Sequence, residues 1–136
     1  MTVVLHDGRS FDLVTRQPGR GHDSFELVLE AADGSAAGVA QVHLEPGRRA
    51  EVTVLLHQAP SADEAGTVLL AEAAELAARH GAVELVAAHA PGDRHADAVL
   101  AGVGLGYADH GGRDEAIAVI DLRPLQSWRA LATASA

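Results

Sequence analysis

EVTVLLHQAPSADEAGTVLLAEAAELAARHGAVELVAA, residues 51–88, changes its hydrophobic period twice, and those changes decide the fold. Residues 51–57 alternate like a strand and end in the breaker run at Pro60. From Ala62 to His80 the apolar residues Leu69, Ala73, Leu76 and Ala77 share one face of a 3.6-residue helix, which closes in Arg79-His80 and is stopped by Gly81 as a C-terminal cap. Residues 83–88 are again an apolar run of strand length. Strand, helix and strand in that order predict two parallel strands joined by a right-handed crossover.

Upstream, residues 3–5 and 11–14 flank Asp7-Gly8, a turn dipeptide, and read as a hairpin. Gln17-Pro18-Gly19-Arg20-Gly21 breaks the pattern. Phe25, Leu27 and Leu29 then alternate through residues 24–31, Asp33-Gly34-Ser35 turns the chain, and Val39, Val42 and Leu44 carry a further strand to the turn Glu45-Pro46-Gly47. This half is an antiparallel meander. Downstream, Pro91-Gly92 precedes Asp93, the N-cap of a short helix with Ala96, Val99, Leu100 and Val103 facing inward. Gly102, Gly104 and Gly106 end that helix, Tyr107 opens a strand, and residues 116–122 form another. The expected class is α+β, with an α/β-like centre: a mixed, mostly antiparallel sheet, one central parallel strand–helix–strand unit and two main helices. Residues 1–123 read as one domain, and Pro124 starts a weakly amphipathic tail over 124–136.

At 136 residues and 48% hydrophobic, the chain suffices for one core and is short for two. It has no Cys, no apolar run of membrane-spanning length, and no basic-then-apolar leader over residues 1–10, so the expected location is cytoplasmic. The net charge of −9 repels phosphate backbones and anionic headgroups, which argues against nucleic-acid and membrane partners. All ten basic residues are Arg.

Leu5-x-Asp7-Gly8 with Leu13 and Pro18, Ala50-Glu51-Val52, Gly66-Thr67-x-Leu69-Leu70, Ala78-Arg79-x-Gly81, Asp93-Arg94 and Gly104-Leu105 follow one another at a familiar spacing. Over residues 2–123 that spacing resembles the GNAT-type N-acetyltransferases, and more narrowly their protein-lysine acetyltransferase branch. The resemblance implies a GNAT fold and an acetyl-CoA site at the start of the main helix. There the family carries a Gln/Arg-x-x-Gly-x-Gly/Ala loop whose backbone N–H groups hold the pyrophosphate. This chain has Ser61, Ala62, Asp63, Glu64, Ala65 and Gly66, so only the last glycine is kept. Taken on their own, Ser61-Ala62-Asp63-Glu64 form a capping box, with Ser61 accepting from the N–H of Glu64 and Glu64 reaching back to the N–H of Ser61. The two carboxylates also stand where phosphate charge would be. Arg48 and Arg49 lie on a turn, as ordinary solvated charge, and form no replacement cluster.

The resemblance places Glu51 at the strand position of the family's general base, which takes a proton from the attacking ammonium. The family's frequent Tyr acid falls at Leu100, which donates no proton; Tyr107 lies beyond that helix and reads as a packing residue. Two family helices that build the acceptor wall are replaced by about five residues, 19–23. His89 and His95, with Asp93 and Asp97 around them, have no familiar metal-ligand spacing, and no metal is expected. Gly102-x-Gly104-x-Gly106 follows a helix and is no dinucleotide fingerprint, and no Ser sits in a nucleophile elbow.

The expected function is a degenerate acetyltransferase fold kept as a binding or regulatory module, with no cofactor. The alternative is an active acyl-CoA-dependent N-acetyltransferase that uses Glu51 and an atypical acetyl-CoA site. A third reading gives the cleft a cationic or neutral small molecule. Loss of the two helices exposes a sheet face, so a homodimer or a protein partner is expected to cover it.

Overall fold

The computed structural model describes residues 2–17, 23–57, 62–89, 94–111 and 116–126. The opening hairpin is β1 (Thr2–Val4) and β2 (Ser10–Arg16), closed where Gly8 donates to the carbonyl of Leu5. The strands β3 (Ser24–Glu30), β4 (Ala36–Glu45) and β5 (Arg49–Leu56) continue the antiparallel meander in sequence order. After α1 (Ala62–Arg79), β6 (Glu84–His89) lies parallel to β5, with Ala50 opposite Leu85 and Val52 opposite Ala87. α2 (Arg94–Val103) leads to β7 (Tyr107–Gly111) and β8 (Ala116–Asp121). β8 inserts between β6 and β7, giving an eight-stranded sheet in the order β1-β2-β3-β4-β5-β6-β8-β7. The mixed, mostly antiparallel sheet with one parallel pair is the class expected from the periodicities.

One face of the sheet carries the core. Phe25, Leu27 and Leu29 pair across β4 with Val42, Ala40 and Gly38, which pair in turn with Val52, Val54 and Leu56 of β5. α1 lies over β3, β4 and β5 and packs its Leu69, Leu70, Ala73, Leu76 and Ala77 stripe into them. A Leu fully withdrawn from water contributes about 1.5–3 kcal/mol, so this stripe fixes the helix on the sheet. α1 ends as its sequence predicts. Gly81, at φ 88°, donates to the carbonyl of Ala78 while Ala82 donates to that of Ala77, a Schellman closure that needs a residue free of Cβ strain. A single helical turn at residues 123–126 completes this end, since the side-chain amide of Gln126 donates to the carbonyls of Ala78 (2.7 Å) and Ala82 (2.9 Å). The tail beyond residue 126 lies outside the described residues.

β2 pairs directly with β3, Arg16 opposite Glu26, so the connection between them is residues 17–23, of which 18–22 are outside the described residues. On the far face of the sheet, Val14, Val28, Val39 and Leu55 line up across β2 to β5, flanked by the charged positions Asp12, Arg16, Glu26 and Glu30. Leu55 is 57% exposed there.

The two helices meet at glycine. A Cβ on Gly66 would stand 2.8 Å from Cγ2 of Val99 and 3.0 Å from Cδ1 of Leu56, so α2 and β5 both approach α1 at this residue. Alanine is worth up to about 1 kcal/mol more than glycine inside a helix. Here the stiff, β-branched Val99 must yield, and overpacking typically costs about 1–3 kcal/mol. Gly66→Ala is therefore expected to lower stability in a denaturant titration; a gain of the size set by helix propensity would show that the contact relaxes freely.

Candidate functional site

The parallel pairing of β5 and β6 stops at Val52 and Ala87, although β5 runs on to Leu56 and β6 to His89. Past that point the strands diverge, and α2 lies across the gap. The result is an apolar cavity of about 200 Å³, walled by Val52, Val54 and Leu56 of β5, Ala87 of β6, and Val99 and Leu100 of α2. His89 and His95 stand at its polar side. Leu100 is buried and makes part of the wall, so this position offers surface and no proton.

The first turn of α1 faces this region. Its sequence puts Asp63 and Glu64 near the positive end of the helix dipole, where carboxylates are favoured. Each is engaged by a histidine from another element. Oδ1 of Asp63 lies 2.7 Å from Nδ1 of His95 in the first turn of α2. Both oxygens of Glu64 accept the backbone N–H of His6 at 3.1 Å, and Oε1 also lies 2.8 Å from the Nδ1 of that histidine. Thus Glu64, which the sequence offers to the N–H of Ser61, binds the β1–β2 turn; Ser61 itself lies outside the described residues. Gly66, the retained glycine of the loop, is accounted for by the close packing of Val99 and Leu56. Ala65 is buried in the core, and Ala62 borders a separate cavity of about 400 Å³ beside the helix start. Arg9 and His57 also line that second cavity. The Arg9 Nε donates to Asp7 at 2.7 Å, so this cation is already matched by a carboxylate.

Glu51 sits elsewhere. It alternates with Ala50 and Val52, so it projects from the face of the sheet opposite α1 and the apolar cavity. There it joins His43, its cross-strand neighbour, in a shallow cavity of about 280 Å³ with Ser24, Gln41 and Thr53. Ser24 Oγ lies 3.2 Å from Nδ1 of His43. A hydrogen bond to Glu45 and that neighbour's charge hold the Glu51 carboxyl above its ordinary value of 4.5. Glu51 therefore presents a carboxyl of raised proton affinity to the open face of the sheet, and not to the apolar cavity.

Sequence reasoning did not find His6 or Asp109, and although it weighed His89 and His95 it did not pair His95 with Asp63. His89 Nε2 reaches Asp109 Oδ1 at 3.1 Å, across the small side chains of Ala116 and Ala118 on β8. Asp93 lies outside the described residues, and among those described no group of three His, Cys, Asp or Glu stands together as a metal site. No helix among the described residues is long and apolar enough to cross a membrane.

The bond to Glu64 raises the His6 imidazole above its ordinary 6.5, and the same bond lowers Glu64 below 4.5. The imidazole's share of stability is complete below pH 6.5 and is lost as pH rises through its raised value. The carboxylate's share is present above pH 4.5 and is lost as pH falls through its depressed value. The ion pair is thus fullest between those limits. NMR titration should place the His6 midpoint above 6.5 and return it toward that value in Glu64→Gln; an unmoved midpoint would refute the pairing in solution.

No protein-family model and no curated protein sequence matches this chain. Solved structures do. A cAMP-binding acyltransferase from Mycobacterium smegmatis superposes with TM-score 0.68 at 16% identity, over 90% of this chain and 46% of that one. The chain therefore spans about half the length of that relative. The GNAT domain of S. lividans PAT superposes with TM-score 0.68 at 16% identity, over 89% of this chain and 96% of the domain. A Bacillus subtilis acetyltransferase in complex with CoA gives TM-score 0.60 at 11% identity, over 80% of this chain and 97% of that one. The sheet that diverges between β5 and β6, with α1 and α2 packed on it, is accordingly the GNAT acetyltransferase fold.

Proposed function

We propose that this chain is a GNAT-fold protein with a degenerate acetyl-CoA site, binding acetyl-CoA weakly or not at all, and that its cleft serves as a binding or regulatory module. The observation that supports this reading is the first turn of α1. A pyrophosphate held at a helix start needs backbone donors and a positive or neutral surround. Here Asp63 and Glu64 complement the dipole themselves, and each is fastened by a histidine, His95 and His6 respectively. An anionic ligand would meet two carboxylates that other parts of the fold hold in place. The cleft is kept, and what it can hold is changed.

Glu51 supports a second reading, an active acyl-CoA-dependent N-acetyltransferase with an atypical CoA site. Its raised proton affinity and its position on the open face suit a general base. In this reading Arg9 and His57, beside the helix start, are the residues nearest to a replacement anion site. Arg9 is matched by Asp7 and Leu100 supplies no acid, so the first reading carries more of the geometry.

Calorimetric titration with acetyl-CoA and CoA separates the two. Binding is expected to be weaker than a Kd of about 1 mM, or about 4 kcal/mol. A micromolar constant would promote the enzyme. Replacing Ser61→Gln, Asp63→Arg and Glu64→Gly together removes two negative charges and adds one positive charge. The folded triple variant should gain measurable, salt-sensitive CoA affinity while turnover stays absent; folding without any gain would show that the first turn is not what excludes CoA.

A binding role also calls for a partner, and the partly exposed Val14 and Val39 with the exposed Leu55, around the buried Val28 on the open face, form the surface we assign to a second copy of the chain. Size exclusion with light scattering should show a dimer that Leu55→Glu dissociates. A clean monomer at high concentration would remove the homodimer.

A further inference from the structure

We propose that Ser24, His43 and Glu51, aligned across β3, β4 and β5 on the open face, form a nucleophilic site that cleaves esters of short acyl groups. The site lies on the face away from α1, so the inference goes beyond the binding reading and holds whether or not CoA binds.

Strand register assembles the row. Ser24 pairs with His43 and His43 with Glu51, and alternation turns all three side chains to the face opposite the core. Ser24 Oγ stands 3.2 Å from Nδ1 of His43. In the tautomer that carries its proton on Nε2, the imidazole is placed to take the proton of the hydroxyl. Glu51 comes next in the row, and the attraction between its charge and that of His43 favours the imidazolium formed by that transfer. The backbone under the pair is held on both sides. Leu44 donates its N–H to the carbonyl of Asp23 at 2.6 Å, one residue before Ser24, and the buried ring of Phe25, one residue after, packs on His80 at 4.8 Å. Side chains on paired strands keep their geometry better than side chains on loops.

The surroundings set the reaction. The row borders the shallow cavity of about 280 Å³, whose lining adds Gln41 and Thr53, the cross-strand pair of the neighbouring row. Their amide N–H and hydroxyl are the donors available to an oxyanion. Ser24 Oγ attacks the ester carbonyl as its proton passes to His43. The tetrahedral adduct then expels the alkoxide, which takes that proton and leaves as the alcohol. Water next attacks the acyl-serine while giving a proton to His43; the carboxylic acid departs, and the proton returns to Ser24. A shallow cavity on an open sheet face has no enclosure for a long chain, which limits the acyl group to a short one, and it admits the water that the second step consumes.

Incubation of the full chain with p-nitrophenyl acetate tests this, read by release of p-nitrophenol and by peptide mapping of the acid-quenched chain. The acetyl group should map to Ser24, and Ser24→Ala should lose all but the background release from surface imidazoles. His43→Gln should slow the reaction about 10²-fold, the contribution of a positioned base. Ser10→Ala, at an exposed serine elsewhere on the sheet, should leave the rate unchanged. The sequence has no Lys to take the acetyl group, and its eight His are the competing nucleophiles. Acetyl mapped to histidine and not to Ser24, no release above buffer, or full release from Ser24→Ala folded by circular dichroism would overturn the proposal. Mapping on the unsubstituted chain decides the matter where that variant does not fold. Micromolar CoA binding would overturn the degenerate-site reading instead and leave the Ser24 result as it stands.

Discussion

How closely α1 lies against the sheet and against α2 governs the rest of this fold. Gly38 on β4 sits under the helix, where a Cβ would stand 2.8 Å from Cδ1 of Leu69, and Gly66 on the helix sits under Val99 of α2. At Gly102 on α2, a Cβ would likewise stand 2.7 Å from Oγ1 of Thr67 on α1. With no side chain at these points, the side chains of Leu69, Val99 and Thr67 seat directly on the glycines, and the Leu stripe of α1 reaches the floor formed by Ala40, Val42 and Val52. Close packing of this kind is intolerant of one added methyl. It also fixes where the first turn of α1 must be.

Because α1 is fixed low on β4 and β5, its first turn comes within reach of two otherwise distant elements. The β1–β2 turn arrives from one side with His6, and the first turn of α2 arrives from the other with His95. The carboxylates of Glu64 and Asp63 serve both as helix-dipole partners and as anchors for those elements. These contacts are exposed, with the His6 side chain 96% accessible, so their worth to stability is small. Their importance is electrostatic. They hold two carboxylates at the start of α1, tied to the β1–β2 turn on one side and to α2 on the other.

Most of the architecture was legible because periodicity is a local property. The alternation of Phe25, Leu27 and Leu29, the helical face of Leu69, Ala73 and Leu76, and the stop at Gly81 each depend on neighbours a few residues away. The insertion of β8 between β6 and β7 was not legible, since strand order in a sheet leaves no mark on the period of a strand. The loop substitution at 61–66 was legible as a change of charge. Its partners were not: Glu64 and His6 are separated by 58 positions, and nothing in the residues around His6 marks it as the acceptor's target. Glu51 was legible as a carboxylate on a strand, and alternation even predicts which face it takes, but only the paired register shows that this face is opposite the apolar cavity.

That opposition bears on how the two faces of the sheet divide their work. In β5 the side chains of Val52, Val54 and Leu56 enter the cavity under α2, while Glu51, Thr53 and Leu55 look out over the open face. A reaction joining the two faces must pass through the gap where β5 and β6 part, and there the described lining offers His89 and His95, each tied to a carboxylate, and no Arg. A ligand recognised by shape needs only the cavity, and a protein partner recognised by the Val14–Leu55 row needs only the open face. Both can be served without any group crossing the sheet. Binding on two independent faces therefore asks less of this fold than catalysis through it, which is why we propose the binding reading ahead of the catalytic one.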